Sequence, residues 1–312
     1  MKFKFIFILL YKWKLILIIN FFVFIFLIVK NAQKKFKVCL CAIAKLENKY
    51  IFEFIEHYKK YKVDKIILYD NNDLNSENLD FLRNYSKTNF LEIIDYRGKI
   101  APQLTAYHDC YYKNNGEFEW FLFFDVDEFI NITKYPDIHD YLSQKIFNKC
   151  NSIYLNYNIH TDNERLLYDN RSLIERFPKT YQSKNFCLGK SIIKGNIQNL
   201  HFISTHILAY NLTFCNGFGK LIKMNNILCK IPDYKFNFIE HYSFKSTEEF
   251  ITKLNRGDAR FKFNNIYYKI FYYFRFNKIT SEKINFIANN LNISANYIIK
   301  KLLKKNYKIF IN

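Results

Sequence analysis

The sequence predicts an α/β fold, a mostly parallel sheet with helices on its faces. Between residues 37 and 124, short apolar runs typical of buried strands alternate with segments whose apolar residues recur at helical spacing. Polar residues directly follow these apolar runs, as they do where parallel strands end at one edge of a sheet and bind ligands. With 312 residues, 50% of them hydrophobic, the chain can bury one large core.

The first predicted unit is strand, helix, strand. Val38 to Ala44 is an apolar strand candidate, and Lys65 to Asp70 is a second. Between them a helix is predicted over about 47–61, because apolar residues recur there at i, i+3, i+4 and i+7. These residues are Ile51, Phe54, Ile55 and Tyr58. In a parallel sheet the crossover of this unit is right-handed.

The next segment predicts two further strands, Leu91 to Asp95 and Trp120 to Phe124, with helices over about 76–86 and 101–114. Four strands would then end at one edge of the sheet. Their terminal polar residues are Lys45, Asp70, Asp95 and the pair Asp125 and Asp127. We therefore expect the ligand site at this edge.

The Trp120–Phe124 run leads directly into three carboxylates, Asp125, Asp127 and Glu128. Side chains alternate along an extended chain, so Asp125 and Asp127 can point the same way. Two adjacent carboxylates repel unless a cation lies between them, and oxygen ligands of this kind suit Mg2+ or Mn2+. The pattern predicts a metal site for a diphosphate substrate. Its alternative is a solvated loop or a helix cap, whereas Phe129 disfavours an aspartyl-phosphate hydrolase.

Five phrases, in their order and spacing, resemble the signatures of glycosyltransferase family 92 and a related family 2-like group. They are Glu47 to Tyr58, Leu68 to Asn71, Gln103 to Cys110, Phe123 to Ile130 and His241 to Ser246. The resemblance covers roughly residues 37–257. It implies a GT-A, Rossmann-like fold and transfer of a sugar from a nucleotide-sugar donor to a glycan or glycolipid acceptor. It also implies a divalent metal, Mn2+ or Mg2+, on the Asp-x-Asp motif, and it favours inversion at the anomeric carbon.

The same resemblance suggests roles for further residues. A late histidine commonly supplies a third metal ligand in GT-A enzymes, and His241 stands in that place, although a lone histidine is more often structural. We expect Lys245, Lys253 and Arg256 to stabilise the leaving diphosphate, unless they form only a solvated helix face. The donor-binding set predicted in full is Asp70, Asn71, Asp95, Lys245 and Arg256.

The middle of the chain departs from the family pattern around residues 159–163, a region that normally shapes the acceptor site. Asp162 is the predicted general base there. Its alternative role, as a loop aspartate capping a turn, is the commoner one for this residue type.

The N-terminal residues predict a membrane anchor. Leu15 to Val29 is apolar apart from Asn20, and extension back through Trp13 gives about 17 residues, the short end of a bilayer span. A signal peptide is the alternative, but no small-x-small cleavage site follows Val29. We predict three parts: an anchor over 1–36, the catalytic domain over 37–258 and a basic helical tail over 259–312.

The tail carries eleven Lys or Arg against the single acid Glu282 in residues 260–312, interleaved with aromatic residues. This pattern is typical of the surface of an anionic membrane, and equally of a terminal helical layer packed on the core. The formal net charge of +19 permits nucleic acid as a partner, but no nucleic-acid-binding motif accompanies it, so none is predicted.

The seven cysteines show no paired metal-ligand spacing and give no reason to expect an oxidising compartment. Unpaired thiols would favour a catalytic domain on the cytoplasmic face of the membrane, where nucleotide sugars are supplied directly, with a lumenal domain as the alternative. A second functional hypothesis is a catalytically silent, membrane-bound scaffold that keeps the fold, because fold does not settle function.

Overall fold

The computed structural model describes residues 37–181, 188–206, 209, 212–223, 237–256 and 266–304. The chain divides into residues 1–36 and one compact unit, Lys37–Asn312. The predicted N-terminal span lies outside the described residues. Within the described part of the chain, the structure contains no helix with both the length and the apolar content to cross a bilayer.

The elements that position the site are eleven strands and nine α-helices within the described residues. The strands are β1 (Val38–Ala44), β2 (Lys65–Asp70), β3 (Leu91–Asp95), β4 (Trp120–Phe123), β5 (Glu128–Asn131), β6 (Ser152–His160), β7 (Thr180–Tyr181), β8 (Gly189–Lys194), β9 (Phe214–Asn216), β10 (Leu221–Ile222) and β11 (Phe238–His241). The helices are α1 (Ile51–Lys60), α2 (Arg83–Ser86), α3 (Gln103–Asn114), α4 (Ile138–Leu142), α5 (Leu173–Arg176), α6 (Thr247–Asn255), α7 (Ile266–Phe276), α8 (Ser281–Leu291) and α9 (Ala295–Lys304).

The sheet has the order β10-β9-β6-β8-β4-β1-β2-β3. β3, β2, β1 and β4 run parallel, which confirms the four strands predicted from the sequence. Beyond β4 the pattern changes, because β8 pairs antiparallel with both β4 and β6. The fold is therefore α/β, as predicted, with a sheet that is parallel in its first half and mixed in its second.

The core forms around β1, whose seven residues are all buried. α1 buries the four apolar residues that its periodicity predicted. On α3, Ala106, Tyr107 and Cys110 pack with Cys39 and Phe121 of the sheet. Burial of apolar surface stabilises the fold, so this packing holds α3 against the sheet.

Two disulfides cross-link the core. Cys41 of β1 is bonded to Cys110 of α3, and Cys150 is bonded to Cys215 of β9. Cys39 is a buried free thiol whose pKa is raised by burial. The prediction of unpaired cysteines was therefore wrong for these four, because pairing depends on which strand and helix meet in space. Cys187 and Cys229 lie outside the described residues.

Helices α7, α8 and α9 form a packed layer. Their apolar residues Ile270, Ile284 and Leu302 are fully buried, and the ring of Tyr273 stacks on Phe250 of α6 at 4.2 Å. α8 also packs against α6. Of the two interpretations of the basic tail, residues 266–304 match the helical layer on the core.

A second, smaller sheet lies beside the end of β4. β11 inserts between β5 and β6, antiparallel to β5 and parallel to β6. In this register His241 is opposite Glu128 of β5. The two sequence phrases that contain these residues, more than 100 positions apart, thus meet at one point.

Candidate active site

The Asp-x-Asp segment forms the turn between β4 and β5. The Glu128 backbone N–H donates to the Asp125 carbonyl at 3.0 Å, and the Tyr242 N–H donates to the Asp127 carbonyl at 2.9 Å. The first bond closes the turn and the second ties it to the end of β11. The carboxylates of the turn are therefore positioned by three strands rather than by a loose loop.

Asp127, Glu128 and His241 each place a ligand atom within 4.8 Å of the other two. His241 Nε2 is 3.6 Å from Asp127 Oδ1 and 3.9 Å from Glu128 Oε1, which is too long for good hydrogen bonds. His241 Nδ1 is buried and is among the described atoms that lack a hydrogen-bond partner. Two carboxylate oxygens and an imidazole nitrogen at this spacing fit a divalent cation such as Mn2+.

Asp127 also accepts a hydrogen bond from a lysine. Lys253 Nζ donates to Asp127 Oδ2 at 2.8 Å, and Lys245 Nζ lies 4.0 Å from the same oxygen. Burial works to raise the pKa of Asp127, but Lys253, His241 and Lys245 hold the pKa of this carboxyl well below its usual value. Asp127 is thus an anion with one oxygen facing the metal-type cluster and the other facing ammonium groups.

Asp125 has different partners. Its Oδ1 accepts from Lys190 Nζ at 2.9 Å, Tyr107 Oη at 2.9 Å and Gln103 Nε2 at 2.6 Å. Three donors thus engage one oxygen of this carboxylate, and Asp125 is not part of the cluster of Asp127, Glu128 and His241. The structure therefore brings together two of the three predicted metal ligands, Asp127 and His241, and joins Glu128 to them, while Asp125 is held separately.

Lys190 is the residue that sequence reasoning missed. It is fully buried, and its ammonium lies between Asp125 and Glu128, with Glu128 Oε2 at 3.5 Å. Burial works to lower the pKa of Lys190, but Asp125 and Glu128 raise it above its usual value. At the preceding Gly189 a Cβ would lie 1.9 Å from the Leu155 carbonyl oxygen, so glycine permits the close approach of β8 to β6 that places Lys190 here.

Glu128 is the most enclosed carboxylate of the motif. Tyr157 Oη donates to its Oε1 at 2.6 Å, and the Asp125 N–H donates to its Oε2 at 2.9 Å. Burial raises the pKa of Glu128 well above its usual value. The ring of Tyr157 also lies 4.2 Å from that of His241, so one tyrosine positions both residues.

A cavity of about 130 Å³ lies beside Asp127, and its lining carries four cationic residues and three glutamates. Its lining includes Lys245, Lys253, Arg256, Glu47 and Tyr50. Glu47 pairs with Arg256 and, at 3.4 Å, with Lys245. Lys245 has φ 55, a left-handed conformation that non-glycine residues rarely adopt and that tends to be kept at functional sites. The three predicted cations therefore gather in one cavity next to the cluster.

The other predicted donor-binding residues lie at or directly after the carboxyl ends of the parallel strands β2 and β3, as predicted from the sequence. Asn71 Nδ2 donates to the carbonyls of Tyr96 at 3.1 Å and Lys99 at 2.9 Å, so its amide holds the loop after β3. Asp70 Oδ1 accepts from the backbone and side chain of Asn72. Asp95 is exposed, and hydrogen bonds from Arg97 lower its pKa to about 2. Their role toward a donor stays a prediction.

Asp162 lies in a different environment from the one predicted. It is 1% exposed, and its carboxylate accepts from Tyr273 and from Lys283 Nζ at 2.5 Å. Its backbone N–H donates to Asn277 Oδ1 at 2.7 Å. A general base must contact the acceptor hydroxyl, so these bonds favour a structural role, joining the segment after β6 to α7 and α8, over the predicted catalytic one.

Comparisons with known proteins agree with the sequence phrases. The model of glycosyltransferase family 92 matches residues 34–289. No curated protein matches the sequence.

Two solved structures show partial likeness. GalNAc-T7, crystallised with UDP, GalNAc and Mn2+, is 13% identical over 42% of this chain and 24% of its own, with a TM-score of 0.31. TarS of S. aureus is 16% identical over 43% of this chain and 23% of its own, with a TM-score of 0.29. The chain thus spans about a quarter of either structure, and likeness at this level supports no statement about the site.

Proposed function

The chain belongs to glycosyltransferase family 92, and from this premise we propose that it transfers a sugar from a nucleotide-sugar donor to a glycan or glycolipid acceptor with the help of a divalent metal. The observation that supports the metal is the cluster of Asp127, Glu128 and His241, which lies beside the cavity that Lys245, Lys253 and Arg256 line. Mn2+ and Mg2+ are both candidates.

In this proposal one group of residues binds the metal and another stabilises the leaving diphosphate. Asp127, Glu128 and His241 would hold the metal, which supplies neutralisation of charge on the departing diphosphate. Lys245 and Arg256 present positive charge from the cavity wall to the same diphosphate. Both are fixed by Glu47, so they need little reorganisation when charge develops. Attack of the acceptor hydroxyl on the anomeric carbon from the opposite side would form the glycosidic bond as the bond to the diphosphate oxygen breaks, invert the configuration of that carbon and release the hydroxyl proton to a base or to water.

The first test is a donor screen. Purified protein is incubated with UDP-, GDP- and CMP-sugars, with and without Mn2+, and donor hydrolysis and nucleotide binding are measured. We expect metal-dependent turnover of one donor class. Absence of both turnover and metal-dependent nucleotide binding would favour the catalytically silent scaffold instead.

Membrane attachment completes the proposal. The apolar segment from Trp13 to Val29 would anchor the chain, and the acceptor would then be met at a membrane surface. Fractionation of cells that express the full chain or a form lacking residues 1–30 tests this. A deletion that leaves the protein in the membrane pellet in high salt would exclude this segment as the sole anchor.

A further inference from the structure

Lys253 differs from the other cations around Asp127. Its Nζ bonds Asp127 Oδ2 at 2.8 Å and the Ser243 carbonyl at 3.0 Å. The Lys253 side chain is 34% exposed, whereas that of Asp127 is 5% exposed. Lys253 therefore contacts the buried carboxylate of Asp127 from the cavity, and its side chain remains partly exposed to solvent.

The position of its ammonium bears on metal binding. Asp127 presents Oδ1 to His241 and Oδ2 to Lys253, so a cation held by Asp127, Glu128 and His241 would lie close to the ammonium. Like charges repel, and they do so more strongly in a partly buried site than in bulk water. Lys253 thus offsets the charge of Asp127 when the cluster holds no metal, and opposes a metal that arrives there.

Lys245 has no comparable freedom. Its side chain is 5% exposed, bonds Glu47 and extends from a left-handed backbone. By contrast, Lys253 lies in the last turn of α6, whose start is fixed by a capping box of Ser246 and Glu249. A flexible four-carbon stem on a fixed helix allows the ammonium to change partner while the helix stays in place.

We propose that Lys253 is an exchangeable counter-ion: it pairs with Asp127 in the metal-free site and transfers to a phosphate oxygen of the donor when metal and donor bind. This inference rests on the proposed function. On this proposal Lys253 has opposite effects on two binding affinities. It weakens binding of the metal alone, and it strengthens binding of a nucleoside diphosphate to the metal-loaded site. The two ligands are thereby coupled.

The test is Lys253→Gln, which removes the charge and keeps a hydrogen-bond donor. Titration calorimetry measures Mn2+ alone, and then UDP and GDP at saturating Mn2+. We expect Mn2+ affinity to rise roughly five-fold or more and nucleoside diphosphate affinity to fall by a similar factor, in the usual range of coupling between sites. Lys253→Arg keeps the charge, so its Mn2+ affinity should stay within about two-fold of the parent.

The control is Lys278→Gln, which removes the same charge from an exposed pair with Glu164 and should change neither affinity. Unchanged or weaker Mn2+ binding by Lys253→Gln, in a parent that binds both ligands, overturns the exchange and leaves the proposed function standing. A parent that binds neither Mn2+ nor a nucleoside diphosphate overturns the proposed function itself. Lys253→Met repeats the test if the glutamine variant does not fold.

Discussion

At the residue scale, the two aspartates of the motif serve different partners. Asp127 faces His241 and the cavity lysines, whereas Asp125 accepts three hydrogen bonds on one oxygen, one of them from buried Lys190. We therefore expect substitution of Asp127 and substitution of Asp125 to have different effects on metal binding and on stability.

This asymmetry gives a paired prediction. Asp127→Asn should weaken Mn2+ binding about 10–100-fold, the usual cost of altering a metal site, with little loss of stability. Asp125→Asn should leave Mn2+ affinity within a few-fold but lower the free energy of unfolding by roughly 1–3 kcal/mol, because Lys190 loses a charged acceptor. Mn2+ titration and urea unfolding separate the two. Asp95→Asn, in an exposed pair with Arg97, is the control.

Equal losses of Mn2+ affinity in both variants would contradict this division and return Asp125 to the metal ligands.

His241 provides a separate prediction. His241→Ala should weaken Mn2+ binding about 10–100-fold, because it removes the nitrogen ligand of the cluster. His201→Ala, at an exposed position, should leave the titration unchanged. A parent-like Mn2+ isotherm in the His241 variant would remove this residue from the site.

Some of these residues could be found from the sequence, and others could not. Asp127 follows an apolar strand, and His241 lies in a phrase with a capping box, so both have local signals. Lys190 gives no such signal. A lysine within a strand is ordinarily exposed, and its burial beside Asp125 follows from the pairing of β8 with β4 and β6.

At the element scale, β11 and α1 support the site from two sides. β11 sets His241 opposite Glu128, and α1 packs against β5. His57 of α1 bonds the Ile130 carbonyl through Nε2 at 2.9 Å and lies 5.1 Å from the Phe129 ring. This contact joins the helix to the strand that carries Glu128.

His57 makes stability depend on pH. Burial lowers its pKa to about 4 in the folded protein, against about 6.5 when unfolded. Between these values the unfolded chain binds a proton that the folded one does not, so stability falls as pH drops from 6.5 to 4, by at most about 3 kcal/mol. Urea unfolding at pH 7 and 4.5 measures this.

His57→Gln keeps a donor for the carbonyl but does not titrate, so its loss of stability at pH 4.5 should be smaller than that of the parent. His201→Gln, at an exposed position, serves as the control and should retain the parent's loss. The same acid sensitivity in the His57 variant as in the parent would assign the effect to other groups.

Some of the strands and helices could be predicted from the sequence, and others could not. β1 to β4 and the helices between them follow from local periodicity, and β1, β2 and β3 each pair with the next strand along the chain. β5, β9, β10 and β11 have two to four residues, and β5, β9 and β11 pair with strands far away in the sequence. A pattern of two or four residues is too short to show a period, so these strands escaped prediction.

At the scale of the whole molecule, the disulfides tie distant parts of the core together. Their sequence separations are 69 for Cys41–Cys110 and 65 for Cys150–Cys215. A cross-link that closes a loop of this length typically stabilises a protein by about 2–4 kcal/mol. The predicted cytoplasmic face rested on free thiols, which these four cysteines do not provide, and the location of the domain stays a prediction.

We expect the domain to lose stability when it is reduced. Paired Cys→Ser changes at Cys41 and Cys110 should lower the free energy of unfolding by about 2–4 kcal/mol, and reductant should destabilise the parent more than this variant. Thermal unfolding with and without reductant measures both. Cys39→Ser, at a free thiol, is the matched control for loss of a buried sulfur. Full alkylation of the native protein without reductant would contradict the pairing.

The burial of Lys190 between two carboxylates also shapes how this chain can diverge. Loss of Lys190 alone leaves two buried carboxylates without their shared cation, so this single step is costly, whereas a joint replacement of all three by neutral residues is tolerated far better. The positions are thus epistatic. A saturation screen that changes one position at a time would rank Lys190 with the proposed metal ligands although it would not bind the metal itself, and only a library that varies Lys190, Asp125 and Glu128 together would reveal a mutational route out of the present site.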